Sequence, residues 1–195
     1  MARNRNRFRD MDDATVNRMV GWLFIFDWTG TLCSKKTRLL APGAPAVVKA
    51  IRKKWPIAGM EILSIANGSA EERREEIEGL LAEAGIRDFF REITVIKPPK
   101  KPEHFINPDF RRIVVVGDRP CREIANGNLA GADTILIRDP EISECCDEPL
   151  VGEFEGVPYK GAANHTYPSL EVMAGDIGCG DMFAIFLGGN NYLAR

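Results

Sequence analysis

Three charged side chains, Asp27, Lys97 and Asp118, each follow an apolar run that is typical of a β-strand. In a parallel sheet the carboxyl ends of the strands lie along one edge, so these side chains would converge there. Facing carboxylates repel unless a cation lies between them, and Mg²⁺ is a hard ion that prefers oxygen ligands. A nearby lysine would hold both a carboxylate and an incoming phosphate. The set favours phosphoryl transfer, in which catalysis depends mainly on positioning and charge stabilisation.

The strand that must deliver Asp27 is the apolar run of residues 21–26 (GWLFIF). A run of this length, bounded by Gly and Asp, is typical of a central parallel strand. Gly30 allows the backbone to turn sharply just after the carboxylate. The sequence therefore predicts an acid at the carboxyl end of a buried strand.

Strands and helices alternate along most of the remaining chain. We predict helices over residues 44–54 and from Ser69 to Gly85, the second beginning with a Ser69–Glu72 capping box and ending at glycine. Further strands are predicted over residues 60–66, 93–96, 113–116 and 134–137. Alternation with short connections predicts an α/β fold with a doubly wound parallel sheet.

The domain organisation is predicted from changes in composition. Residues 1–20 form an arginine-rich basic arm and lead-in, residues 21–140 the α/β domain, and residues 141–195 an acidic linker followed by a Gly-rich segment. The apolar run Met182–Leu187 would add a strand or cover a sheet edge. The role of this last segment is left open by the sequence.

Composition limits the setting of the protein. The chain has 195 residues and a net charge of −2, which gives no overall attraction to polyanions. Its five cysteines lack metal-binding spacing, and no apolar stretch approaches the ~18 residues that a membrane helix needs. We therefore expect a cytoplasmic protein with no integral membrane association.

Two segments resemble a known family. Asp27-Trp28-Thr29-Gly30-Thr31 resembles the first motif, Asp-x-Asp-Gly-Thr, of the haloacid dehalogenase-like (HAD) superfamily. Residues 113–137 resemble the last motif of its small, nearly capless members, and residues 127–131 (GNLAG) are similar to phosphatidylglycerophosphate phosphatase-like proteins. The resemblance covers about residues 23–140 and implies a Rossmann-like phosphatase domain without a sizeable cap.

The resemblance also implies a role for each matching residue. Asp27 would attack phosphorus and form an aspartyl-phosphate, and Thr29 would lend its backbone carbonyl to Mg²⁺. Lys97 would be the third motif, Asp118 a metal ligand, and Glu123 a further acid near the metal. The activity implied is Mg²⁺-dependent hydrolysis of a phosphomonoester.

The chain departs from the family pattern at the second motif. Relatives end the second strand with a hydroxyl residue that binds phosphate, whereas this chain has Ala66 there. Ser64 lies two residues earlier on the same face of the strand. Asn67 and the backbone amides of Gly68 and Ser69, at a helix N-terminus, are the other candidates for phosphate binding.

A second departure is Thr29, which replaces the acid that protonates the leaving group and later activates water in the family. A hydroxyl is a poor proton acceptor, so turnover should be slow and a phosphoenzyme should accumulate. The alternative left open is a non-catalytic module that binds phosphate or a partner. A nucleic-acid end-processing phosphatase is a third possibility, for which the basic arm is the only hint.

The links after the first and second strands are too short to hold a cap. An open site fits a bulky phosphorylated substrate, and the candidates are a lipid headgroup, a phosphoprotein and a nucleic-acid end. A lid supplied by a second subunit of an oligomer would also fit. The sequence does not choose among these partners.

Overall fold

A computed structural model describes residues 21–179 of the chain. The predictions for the basic arm and for Met182–Leu187 concern residues outside this range. The strands are β1 (Trp22–Asp27), β2 (Gly59–Ile65), β3 (Glu92–Ile96), β4 (Arg112–Gly117), β5 (Asp133–Ile137), β6 (Val151–Phe154), β7 (Val157–Lys160) and β8 (His165–Tyr167). The helices are α1 (Ala44–Lys54), α2 (Ala70–Glu83), α3 (Ala125–Leu129) and α4 (Leu170–Cys179).

Six of the strands form one parallel sheet with the order β3-β2-β1-β4-β5-β8. The chain winds outward from β1 to β3 and then returns to place β4 on the other side of β1. Ligands of such sheets bind where the winding direction reverses, at the carboxyl ends of the strands. The predicted doubly wound α/β fold is confirmed. The winding direction reverses between β1 and β4, so a ligand is expected at the carboxyl ends of these two strands.

The helix boundaries follow local sequence signals. Helix α1 spans the predicted residues 44–54. At the start of α2, the Ser69 hydroxyl accepts a hydrogen bond from the Glu72 backbone N–H at 3.2 Å, which satisfies one of the free donors of the first turn. Gly85 follows the helix with φ +64°, a conformation that glycine adopts without strain.

The alternation of side chains along β1 divides the core into two faces. Phe24 and Phe26 belong to the larger cluster, whereas Leu23 and Ile25 belong to a smaller cluster on the opposite face. Because side chains alternate along a strand, Asp27 continues the series of Leu23 and Ile25. The register of the strand therefore decides which face of the sheet receives the carboxylate.

The sheet extends past the domain boundary predicted after residue 140. Strand β8 pairs with β5, and three residues of α4, namely Leu170, Met173 and Ile177, are buried in the same core as Phe24. The acidic composition from Asp139 onward suggested a linker, but packing between residues 21 and 179 shows no break there. Strands β6 and β7 form a separate antiparallel hairpin.

Three other observations concern the surface and the connections. None of the helices in the described range is long and apolar enough to cross a membrane. All five cysteines are free thiols. The links from β1 to α1 and from β2 to α2 are short and carry no inserted cap domain, as the sequence predicted.

Candidate active site

Asp27 is the last residue of β1, and its side chain is almost fully buried. The chain turns away immediately, since Gly30 has φ +88° and the backbone N–H of Cys33 bonds to the Trp28 carbonyl at 2.8 Å. A tight turn at this point ends the strand and leaves the carboxylate at the sheet edge. The predicted placement of Asp27 at a strand end is therefore what the structure shows.

The lysine at this carboxylate is Lys100, and the prediction of Lys97 is corrected. Lys97 is exposed, whereas the Lys100 ammonium is buried and donates hydrogen bonds to Asp27 Oδ1 and, at 2.8 Å, to Glu123 Oε1. Lys97 directly follows β3, but the segment after it passes through Pro98 and Pro99 before turning inward. The fourth residue after the strand end, Lys100, thus carries the charge to the site.

Three carboxylates meet beside Lys100. Oxygens of Asp27, Asp118 and Glu123 all lie within 4.8 Å of one another, and all three residues are buried. Asp118 directly follows β4, and Glu123 comes from the helical turn Pro120–Ile124 that leads into α3. The structure therefore brings together three of the four residues predicted to hold a metal. The fourth contact, through the Thr29 backbone carbonyl, stays a prediction.

Burial and mutual repulsion change the acidity of this cluster. Burial raises the pKa of Asp27 to about 6, with Lys100 opposing the shift and Glu123 adding to it. Burial, together with the charges of Asp27 and Glu123, raises the pKa of Asp118 to about 8. Burial alone would lower the pKa of Lys100, but the two adjacent carboxylates outweigh it and raise that pKa. The lysine therefore stays charged.

The donor set fits a divalent cation. Asp118 Oδ1 and Glu123 Oε2 are buried and have no hydrogen-bond partner, a costly arrangement for carboxylate oxygens. When all three carboxylates are ionised, the single ammonium of Lys100 leaves two negative charges uncompensated, which one divalent ion would neutralise. Oxygen donors of this kind favour Mg²⁺ over softer metals. The residues that would hold it are Asp27, Asp118 and Glu123.

Close backbone approach fixes the carboxylates in place. A Cβ on Gly30 would lie 2.7 Å from Asp118 Cγ, and a Cβ on Gly117 would lie 2.5 Å from Glu123 Cβ. The Ser143 hydroxyl also donates a hydrogen bond to Asp118 Oδ2. Ser143 lies in the loop after β5, which the sequence had suggested was only an acidic linker.

Thr29 and Ser64, two further predicted site residues, are joined by Arg73 of α2. Arg73 Nη2 donates to Thr29 Oγ1, and its Nε donates to Ser64 Oγ at 3.3 Å. Ser64 is buried, so it cannot contact a ligand directly without displacing Arg73. The predicted hydroxyl for phosphate is thus occupied by a protein cation.

The other two predicted phosphate-binding residues lie apart from this contact. Asn67 and Gly68 are exposed between β2 and α2, and a Cβ on Gly68 would meet no atom within 4 Å. Ala66 is half-buried at the end of the second strand. A phosphate-binding role for Asn67 and Gly68 stays a prediction.

Sequence reasoning missed Lys100, Arg73 and Ser143 as members of the site. Residues 97–101 contain three lysines and two prolines, and nothing in that spacing says which lysine turns inward. Arg73 lies on a helix rich in charged residues, where an arginine is ordinarily solvent-exposed. Its position four residues after the N-cap, on the turn nearest the sheet edge, was the available signal.

Comparisons with known proteins give the fold. No protein-family model matches the chain, and no curated protein matches it. Among solved structures, it is similar to an uncharacterized protein from Listeria monocytogenes serotype 4b, with 19% identity, a TM-score of 0.55, and coverage of 85% of this chain and 98% of that one. At this identity the likeness shows the shared fold alone.

Two more distant likenesses are to named HAD proteins. A putative HAD-hydrolase from Bacillus subtilis, YfnB, bound to magnesium, has 20% identity and a TM-score of 0.47, and 71% of this chain covers 55% of it. A HAD phosphatase from Thermococcus onnurineus has 14% identity and a TM-score of 0.42, and 71% of this chain covers 58% of it. At these TM-scores neither likeness carries an argument about the site.

Proposed function

We propose that this chain is a Mg²⁺-dependent phosphatase of the HAD-like superfamily that removes a phosphoryl group through an aspartyl-phosphate at Asp27. The observation that supports it most is the buried group of Asp27, Lys100, Asp118 and Glu123 at the carboxyl edge of β1 and β4. An isolated acid at a strand end is common. A carboxylate held by a buried lysine beside two further acids is a costly arrangement that function explains.

Each protein group has a defined task in this proposal. Asp27 supplies the attacking oxygen, and Lys100 fixes its orientation while compensating the negative charge of the incoming phosphoryl group. Asp118 and Glu123, with Asp27, would hold the cation. When bound, Mg²⁺ would neutralise these carboxylates and draw charge from the phosphoryl oxygens.

Burial contributes to the reaction as well as to binding. Lys100 is only 4% exposed, so its charge acts with little screening by water. Asp27 needs to be ionised to attack, and its raised pKa in the metal-free site would fall once a cation compensates the cluster. Catalysis and metal binding are therefore coupled in this proposal.

The substrate is proposed to be bulky, because within residues 21–179 the short links after β1 and β2 place no cap domain over the site. A lipid headgroup, a phosphoprotein and a nucleic-acid end all meet that condition. A second subunit that supplies a lid is the other arrangement that would enclose the reaction. A cytoplasmic location remains part of the proposal.

The direct test is Mg²⁺-dependent release of phosphate from an aryl phosphate such as 4-nitrophenyl phosphate. We expect release by the wild type in Mg²⁺, none in a chelator, and none by Asp27→Asn. Near-normal release by Asp27→Asn in a pure preparation would rule out the covalent mechanism.

A non-catalytic phosphate-binding module is the second candidate. It is favoured by one observation, that the Thr29 hydroxyl is neutral and accepts a hydrogen bond from Arg73, and so cannot replace the missing acid. Such a module would bind Mg²⁺ and phosphate, by calorimetry, without forming a phosphoenzyme. Detection of the phosphoenzyme separates the two candidates.

A further inference from the structure

Arg73 is a second cation at the loop that carries the nucleophile. It lies in the first turns of α2, and its side chain is 12% exposed. Its guanidinium donates to Thr29 Oγ1, to Ser64 Oγ at 3.3 Å and to Glu76 Oε2 at 2.6 Å. Guanidinium is charged at every physiological pH. Arg73 therefore places a permanent positive charge beside Thr29, which lies two residues after Asp27 in the chain.

The guanidinium retains capacity to bind a ligand. It has five N–H donors, and the three contacts to protein use three of them. Glu76, which pairs with it, has a side chain that is 39% exposed, so solvent weakens the compensation of charge. Within the described residues, Arg73 therefore offers both donors and charge to an anion at this loop.

Thr29 limits what can leave from the phosphorus atom. An alkoxide leaving group needs a proton as its bond breaks, and a positioned general acid ordinarily supplies it at ~10²–10⁴-fold in rate. Thr29 cannot act as that acid, and its oxygen already accepts from a cation. A leaving group that is stable as an anion needs no proton and would instead benefit from an adjacent positive charge.

We propose that Arg73 binds the leaving group of the substrate, and that the substrate is a phosphoanhydride rather than an alkyl phosphate. The inference rests on the proposed function, since it assumes attack by Asp27. A phosphoanhydride suits a site beside Arg73 because its leaving group is itself a phosphate. A guanidinium can bind two oxygens of a phosphate with two parallel hydrogen bonds. The substrate class is thus a phosphoanhydride, in place of the phosphomonoester that the family resemblance implies.

The bonds and charges of the first step balance without a proton donor. A bond forms between an Asp27 carboxylate oxygen and phosphorus, while the bond from phosphorus to the bridging oxygen breaks. The electron pair of the broken bond stays on that oxygen, which departs as part of a phosphate anion held by Arg73. Water later attacks the phosphorus of the aspartyl-phosphate, its proton passes to solvent, and phosphate and the Asp27 carboxylate are released.

The test compares three probes in single-turnover phosphorylation of Asp27, followed by acid quenching: ADP, 4-nitrophenyl phosphate and glycerol 3-phosphate. The wild type should react with ADP at least ~10² times faster than with glycerol 3-phosphate, because only the latter needs a general acid. Arg73→Met should slow the reaction with ADP by ~10²–10³. Arg73→Met should slow the reaction with 4-nitrophenyl phosphate much less, since the 4-nitrophenolate leaving group spreads its charge over the ring.

Two further variants make the result specific. Arg73→Lys should partly restore the reaction with ADP, and Arg74→Met, a change at the adjacent exposed position, should behave like the wild type. Equal rates for ADP and glycerol 3-phosphate, or an equal loss with all three probes in Arg73→Met, would overturn this inference and leave the phosphatase intact. No phosphorylation by any probe, 4-nitrophenyl phosphate included, would overturn both proposals.

Discussion

Lys100 is the residue on which the chemistry of the site depends most after Asp27. Its ammonium contacts both Asp27 and Glu123 from a fully buried position. We expect Lys100→Ala to slow phosphorylation by ~10²–10³, the usual cost of removing one preorganised charge from a transition state. Rapid-quench measurement of phosphoenzyme formation tests this.

Lys97→Ala is the matched control, because Lys97 is exposed on the same loop. It should phosphorylate at close to the wild-type rate. If Lys97→Ala were slow and Lys100→Ala normal, the assignment of the lysine made from the sequence would be right and the role given to Lys100 wrong.

Thr29 should control the lifetime of the phosphoenzyme. In Thr29→Asp, the new carboxylate would lie beside Arg73, which would favour its ionised form and let it accept a proton from the attacking water. We therefore expect the aspartyl-phosphate to decay faster in Thr29→Asp than in the wild type. The measurement is its decay after removal of donor, and an unchanged lifetime would mean that water activation is not limiting.

At the scale of elements, the turn after β1 is packed directly against the metal cluster. Gly30 has φ +88°, and any Cβ there would collide with the Asp118 carboxylate. We expect Gly30→Ala to lower the free energy of unfolding by about 1–3 kcal/mol and to weaken Mg²⁺ binding. Chemical denaturation and calorimetric titration with Mg²⁺ measure the two effects.

Gly79→Ala provides the opposite control within α2, where a Cβ would meet nothing within 4 Å. Alanine in an exposed helix should add up to about 1 kcal/mol of stability and leave Mg²⁺ binding unchanged. Full Mg²⁺ affinity in Gly30→Ala would show that the turn does not hold Asp118 in place.

The elements differ in how far the sequence could predict them. β1 and α2 were predictable because an apolar run and a capped helix are specified by local residues. The three residues of β8 were not, since such a short strand acquires its place only by pairing with β5. Arg73 joined the site for a similar reason, because its role depends on contacts with Thr29 and Ser64 that are distant in sequence.

For the whole molecule, the acidic cluster should make stability depend on pH and on Mg²⁺. The pKa of Asp27 rises from 3.8 to about 6 and that of Asp118 from 3.8 to about 8. A raised carboxyl pKa contributes stability that is complete below about pH 4 and is lost as pH rises through the folded values. In a chelator, the melting temperature of the wild type should therefore fall between about pH 4 and about pH 8.

Mg²⁺ should reverse that loss most strongly at the higher pH, because its ligands must be deprotonated. Asp118→Asn should flatten the upper part of the pH profile and reduce the stabilisation by Mg²⁺. Burial also raises the pKa of Glu61 to about 6. Glu61 lies outside the site, so it would contribute equally to the pH dependence of stability in the wild type and in Asp118→Asn. A pH profile that Asp118→Asn leaves unchanged would contradict the coupled cluster.

The central claim is that Asp27 becomes phosphorylated, and mass spectrometry of acid-quenched protein tests it most directly. After brief exposure to 4-nitrophenyl phosphate with Mg²⁺, the wild type should carry a phosphoryl adduct on the peptide that contains Asp27. The adduct should be absent in a chelator and in Asp27→Asn. No adduct in the wild type at any quench time, or an adduct that persists in Asp27→Asn, would contradict the account.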